Sequence, residues 1–335
     1  GLAETTLTVW VPGLLAFVLG LAFQEPRAVI LGAALVSTGV LLFSVNLGAT
    51  LKGAPRKDVT WWALTAACFF LLLTMVVGAA LAANLSWPFM SADRLTALVT
   101  HVHVALVGWV LLVMVGVGHR LLPMFLLSHG ASERWGKGSV GLLSGGTLLL
   151  FALHHTSGPV ARLLPAGLIL AGAAAFLAQA RAFYGTRRRP RLDAGLRMAA
   201  AGLAFLGVGA ALGTWLVLTG FTRPVLATAY VLTLILGISL FVAGHYYKIV
   251  PFLVWFHRFG PLAGRRPVPM VADLYSARRA NVAGLLLVTG AGALALSVAL
   301  GAAVPARAAA SLLTLGATLE AMQLAGVTRR RPEPV

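Results

Sequence analysis

Two histidines, His101 and His103, stand two residues apart inside the apolar run LTALVTHVHVALVGWVLLVMVGVGHRLLPMFLLSH, which extends from Leu95 to His129. An imidazole titrates near neutral pH, bonds through either ring nitrogen and is a good ligand for iron, copper or zinc. Placed in hydrocarbon it is costly, so an intramembrane histidine is a functional candidate by default. At about 100° per residue, positions i and i+2 point about 200° apart around a helix. The two rings therefore serve different neighbours rather than one shared ligand. The blander alternative is a pair bonded to backbone carbonyls or facing a wet cavity.

A second pair, His154 and His155, lies in Leu153-His154-His155-Thr156-Ser157-Gly158, where another apolar run ends. Adjacent histidines differ by about 100° on a helix, so both can lean onto one metal where the helix unwinds. A solvated pair at a helix end is the competing account. His119, beside Arg120, reads as an interfacial group. His245 stands next to Tyr246, Tyr247 and Lys248, a cluster read as interfacial anchoring first and as an inner-side ligand second. Glu320 is the one carboxylate well inside an apolar run; it is a proton-relay group or an inner-end residue reaching back to water, with the second favoured. Cys68 is the only cysteine, and C-x-x-C-H is absent, which excludes covalent c-type haem attachment.

The elements that must position these residues are membrane spans. Apolar residues make up 59% of the 335, charged residues 10%, and mean hydropathy is +0.91, far outside the range of soluble domains. A span needs about 20 apolar residues to cross about 30 Å of hydrocarbon. Ten runs qualify: 7–23, 28–50, 60–84, 95–125, 139–156, 160–184, 194–219, 223–255, 277–301 and 304–326. No alternating pattern suggests a barrel, so the fold class is all-α, a polytopic helical membrane protein forming one transmembrane domain over 1–335. The first run has no signal-peptide cleavage pattern and is read as the first span.

The net charge of +17 concerns orientation rather than nucleic acid. Of the 26 Lys and Arg, five (Arg27, Arg94, Arg162, Arg223 and Arg307) fall on one side of these spans and the other twenty-one on the opposite side. By the positive-inside rule both termini are cytoplasmic, with the lipid bilayer as the chain's main partner. The sidedness also puts His101 and His103 about 10 Å below the outer boundary. His154 and His155 fall at a similar outer level, close to the first pair if the fourth and fifth spans are neighbours, as their short connection implies.

The chain also repeats itself. At an offset of 128 residues, Gly116, Arg120, Pro123 and His129 overlie Gly244, Lys248, Pro251 and His257, and Leu98, Thr100, Leu106 and Leu112 recur. This reads as a duplicated four-helix unit (7–129 and 139–257) followed by a final helix pair (277–326). Ala229 and Val231 occupy the places of His101 and His103, so the histidines are not duplicated.

THVHVALVGWVLLVMVGVGHRLLPMF (Thr100 to Phe125) resembles the tenth helix of the catalytic subunit (subunit I) of haem–copper oxidases, with H-x-H near the outer end, glycines along it and Pro-x-Phe beyond. In that family two such histidines hold two haems on opposite sides of one helix. The resemblance implies non-covalent b-type haem on His101 and His103; His245, by its own surroundings, is kept as a further cofactor-binding candidate. A competing mapping sets the fourth and fifth spans on the family's sixth and seventh; His103 with His154 and His155 then resembles the copper ligands. The two mappings leave His101, His103, His154 and His155 as the metal-ligand candidates.

The chain departs from the family in having ten spans where about twelve are usual, in lacking the His-Pro-Glu-Val-Tyr segment and in lacking a second low-spin haem ligand on the eighth span, for which Met90 or Tyr230 are substitutes. What the resemblance implies is an oxidoreductase of the haem–copper oxidase or nitric oxide reductase type in a bacterial inner membrane. It would work in electron transfer or in binding and reduction of O2 or NO, fed by a cytochrome, cupredoxin or quinol and accompanied by a partner subunit. The alternatives are a haem or copper transporter or assembly factor, and a structural membrane subunit.

Overall fold

A computed structural model describes residues 1–90, 94–156, 158–220 and 222–332. Among them are ten long helices: α1 (Leu2–Ala22), α2 (Pro26–Lys52), α3 (Val59–Ala83), α4 (Arg94–Leu126), α5 (Arg134–Ala152), α6 (Pro159–Gly185), α7 (Ala194–Thr219), α8 (Pro224–Arg258), α9 (Ala277–Ala299) and α10 (Ala303–Arg329). Nine are long and apolar enough to cross a membrane. The exception, α5, opens RWGKGSVG and carries Ser144, Gly145, Gly146 and Thr147 mid-helix, which dilutes its apolarity. No strand forms among the described residues, only an isolated bridge between Ser128 and Arg187. The protein is an all-α, polytopic helical membrane protein.

The helices pack as two compact units. One holds Gly1–Met124 and His129–Thr186, the other Phe125–Ser128 and Arg187–Val335. In the first, α1 pairs with α2, α2 with α3, α3 with α4 and α5 with α6. In the second, α7 pairs with α8, α9 with α10, and α8 also meets α9 and α10.

Lipid tails are as apolar as leucine, so helices in a bilayer associate where small residues let backbones come close. The α7–α8 pair shows it at two levels. A Cβ built on Gly244 would collide with the Gly195 carbonyl and lie 2.7 Å from Ala199 N; one on Gly202 would lie 2.6 Å from both Gly237 O and Phe241 N. The α5–α6 pair repeats the device, with Gly146 against Ile169 and Gly172 against Leu143.

Two backbone features depart from a uniform helix. In α4, residues Val104–Leu111 form a π-helical stretch directly after His103. The corresponding helix of the sequence repeat, α8, is α-helical from Pro224 to Arg258, so the match in residues does not extend to the backbone. Proline does not end either helix: α4 runs past Pro123 to Leu126 and α8 past Pro251 to Arg258. Leu127, at φ 53°, then turns the chain after α4.

Gly244→Ala should separate α7 from α8 and lower the thermal stability of the detergent-solubilised protein by about 1–3 kcal/mol, the usual cost of overpacking. Gly48→Ala in α2, where a Cβ would meet nothing within 4 Å, should leave stability unchanged or raise it.

Candidate functional site

In the first unit, α3 and α4 run antiparallel with large residues set into small ones. Phe70 of α3 fills the gap at Gly108, Ala63 meets Gly116, and Thr60 Oγ1 donates to Gly116 O at 2.9 Å. One level further, the sizes swap sides: His101 of α4 fills the gap at Gly78 of α3. A Cβ on Gly78 would lie 2.9 Å from His101 Cε1 and 3.7 Å from either ring nitrogen. The Thr74 backbone contacts the same ring, while Nδ1 is shut off from solvent with no partner among the described residues. His103 leaves the helix on a different side, its Nδ1 donating to Val99 O at 2.8 Å. Both histidines belong to α-helical turns, so the opposed directions expected from their spacing hold locally.

His154 and His155 are not helical. α5 ends at Ala152, four residues short of the expected boundary, and the pair lies in the turn that follows; Ser157, in the same motif, lies outside the described residues. With the helix finished, the rings come together at a centroid distance of 3.7 Å, tilted by 42°. His154 Nδ1 donates to Phe151 O at 2.6 Å, and Phe151 stacks on that ring at 5.7 Å. The pair lines a cavity of about 400 Å³ shared with Val76, Ala80, Phe89, Met90 and Thr100. Asn84 Oδ1 shapes its rim by accepting the Phe89 and Met90 N–H groups at 2.9 and 2.8 Å. Met90, a substitute haem ligand in the sequence reading, is thus a neighbour of the histidine pair.

His119 is held between helices rather than at a surface. Its Nδ1 donates to Val115 O at 2.7 Å, its ring meets Phe183 of α6 edge-on at 5.5 Å, and its Nε2 presses on Gly136 of α5, where a Cβ could not fit. Gln179, fully buried, accepts the Gly136 N–H at 3.1 Å. His119 Nε2 and Gln179 Nε2 are both buried without a partner among the described residues. The interfacial reading of His119 gives way to a polar pocket where α4, α5 and α6 meet. The one advance signal was Gln179, a lone amide in the apolar run AFLAQARAF.

In the second unit, His245 is 5% exposed, which corrects its reading as an interfacial anchor. Its Nδ1 donates to Phe241 O at 2.7 Å, the Phe241 ring lies 4.4 Å away, and Nε2 is buried and unpartnered. The neighbouring charge is cancelled locally: Lys248 donates to Asp193, whose other oxygen caps α7 by accepting Leu196 N at 3.1 Å. Tyr230 packs on Gly213. His129 and His257 are exposed.

The four metal-ligand candidates do not form one set. Only His154 and His155 are brought together, and among the described residues no three His, Cys, Asp or Glu side chains stand close enough to hold a metal ion. Instead, three histidines on spans (His101, His119 and His245) each have one buried ring nitrogen with no partner among the described residues. For His119 and His245 the other nitrogen is held by the carbonyl four residues earlier, which sets the tautomer and aims Nε2 as a lone-pair donor. An imidazole nitrogen of this kind can bind a metal such as haem iron, though at His119 the place is taken up by Gly136. No protein-family model matches the chain, and no curated protein matches its sequence.

Gly136→Ala should force the His119 ring out of its place and destabilise the protein by about 1–3 kcal/mol. Adding His119→Ala should restore much of that loss, with a coupling of about 0.5–3 kcal/mol in a double-mutant cycle. Additive effects would mean that the two residues do not share the contact.

Proposed function

We propose that this chain is a membrane-integral protein that holds non-covalent b-type haem through histidines on its spans, His101 and His103 on α4 foremost and His245 on α8, and that it serves electron transfer or the binding and reduction of O2 or NO. The observation that supports this reading is that one ring nitrogen of His101 and one of His245, inside spans, have no partner among the described residues; His103 enters by the resemblance. A buried polar atom left without a partner costs about 1–3 kcal/mol, a cost that a ligand on these nitrogens would relieve. When bound, haem supplies an iron centre that cycles between two oxidation states and can take a diatomic gas. The residues' own part is to present neutral imidazoles, fix their tautomers through backbone carbonyls and keep water out. Electrons would come from a cytochrome, cupredoxin or quinol, with a partner subunit able to complete a ligand set. The resemblance points to a bacterial cytoplasmic membrane, and the distribution of lysine and arginine favours both termini inside.

The cavity beside His154 and His155 favours a second reading, a copper- or haem-handling protein. Two imidazoles and the Met90 thioether line one cavity, and soft donors of that kind suit cuprous ion. The two readings differ in what is purified: stoichiometric haem supports the first and labile, substoichiometric copper the second.

Optical spectra of the purified protein, oxidised and dithionite-reduced, with a pyridine haemochrome and a copper assay, test the choice. Sharp reduced bands with one or two haems per chain are expected. His101→Ala should abolish one defined haem signal, whereas His129→Ala and His257→Ala should leave the spectrum unchanged. Identical spectra from all three variants would overturn the assignment, and a colourless wild-type protein would leave the resemblance as one of fold alone.

A fluorescent protein fused to the C-terminus should fluoresce and an alkaline phosphatase fused there should be inactive; the reverse pattern would invert the topology.

A further inference from the structure

Glu320 lies in α10, nine residues before the helix ends at Arg329, or about 13 Å along the axis. A side chain reaching back to water from there would be exposed, but Glu320 is 6% exposed and its Oε1 is buried with no partner among the described residues. The sequence reading that favoured an inner-end group is thereby corrected. The cation closest in sequence to its surroundings, Lys248, is engaged by Asp193, and Arg258 donates to the Thr328 and Arg330 carbonyls at 2.7 and 2.6 Å. An ionised carboxylate there would be an uncompensated charge in a low-dielectric site, so the resting form is the neutral acid.

The same carboxyl is not isolated from polar groups. One turn on, the Gln323 amide joins three elements: its oxygen accepts the Tyr247 hydroxyl at 3.0 Å and the Ala280 N–H at 3.1 Å, and its nitrogen donates to Ser276 O at 3.1 Å. Tyr247, 1% exposed, interacts electrostatically with Glu320, and its ring lies 5.3 Å from that of Tyr275. Tyr275, outside the spans, feels the charges of Asp193 and Arg189; burial first, and Asp193 second, raise its phenol above the ordinary range, with Arg189 opposing. The titratable groups around Glu320 are thus Tyr247 from α8 and, beyond it, Tyr275 from the loop before α9. The residues of α9 buried on this side, Ala280, Ala283 and Leu287, are apolar, and α10 itself adds only the Gln323 amide.

We propose that Glu320 is a proton-carrying carboxyl, a membrane-buried acid that takes up and releases a proton beside the polar groups of Tyr247 and Gln323. The site takes a proton, not a metal, because its remaining groups are two phenols and one amide already in use. It stands whether or not the chain binds haem.

Dicyclohexylcarbodiimide tests this on the full chain in detergent. An un-ionised carboxyl in apolar surroundings gives its proton to a carbodiimide nitrogen while its oxygen bonds to the central carbon; acyl transfer to nitrogen then leaves a stable N-acylurea, with no change of oxidation state. Peptide mass spectrometry should find the adduct on Glu320, forming about tenfold more slowly per pH unit once the acid is mostly ionised. Infrared difference spectra should show a protonated-carboxyl C=O band that shifts in D2O, fades as the pH is raised across the range in which the protein stays folded, and is missing in Glu320→Gln. Should that variant not fold, Glu320→Asp should keep the band at a shifted frequency. A band absent throughout, or one unchanged across that range, would overturn the proposal, since Glu320 would then be a fixed anion or a permanently protonated structural group.

Discussion

Close approach between helix backbones is the constraint from which the rest follows. A bilayer offers no apolar driving force to hold these spans together, so they meet where glycine removes a side chain and lets dispersion and backbone contact act at short range. That same vacancy decides what else can enter the contact. Gly108 takes Phe70 and Gly78 takes His101, so the imidazole occupies a place cut for it by the opposite helix. Gly136 does the same for His119. The histidines are therefore part of the packing, and their orientation is set by helix spacing before any ligand is considered.

Electrostatics then sorts the polar groups into those the fold satisfies and those it leaves open. Asp193 caps α7 and neutralises Lys248 with one carboxylate, which lets a lysine remain largely buried beside Tyr247. Trp61 and Trp255 use their indole N–H groups on the Leu51 and Pro269 carbonyls, which ties α3 to the end of α2 and the loop before α9 to α8. Beside these bonded groups, ten buried side-chain atoms have no partner among the described residues, and the four on titratable groups inside spans are the nitrogens of His101, His119 and His245 and an oxygen of Glu320.

Much of the scaffold was legible in the residues alone because apolar run length is a direct reading of membrane thickness. Each of the ten expected runs contains a helix, with ends shifted by a few residues. α5 was placed late, at 139 rather than Arg134, because charge and glycine at its start hid the helix from an apolar count. Burial was less legible. His245 and Glu320 sit near polar neighbours in sequence, and one-dimensional proximity to Lys248 or Gln323 looks like a surface until the facing helix is known. The cavity at His154 and His155 depends on α5 stopping at Ala152 and on Phe89 and Met90 lying against it, neither of which a periodicity expresses. The π-helical stretch had no signal at all in VALVGWVL, an apolar run compatible with either ladder.

That stretch has a mechanical meaning. Widening eight residues of α4 between His103 and Leu112 changes the phase of everything beyond it, so the histidine end and the Gly116–Pro123 end of one span are indexed separately around its axis. The helix behaves like a shaft with a coupling in the middle. Tightening the coupling into regular α-helix would turn one end against the other by up to about 100° per residue taken out of the wide turns. Gly116 would then leave Ala63, or His101 would leave Gly78. The span can thus satisfy two unrelated packing surfaces along its length, which a uniform α-helix with this order of residues would not do.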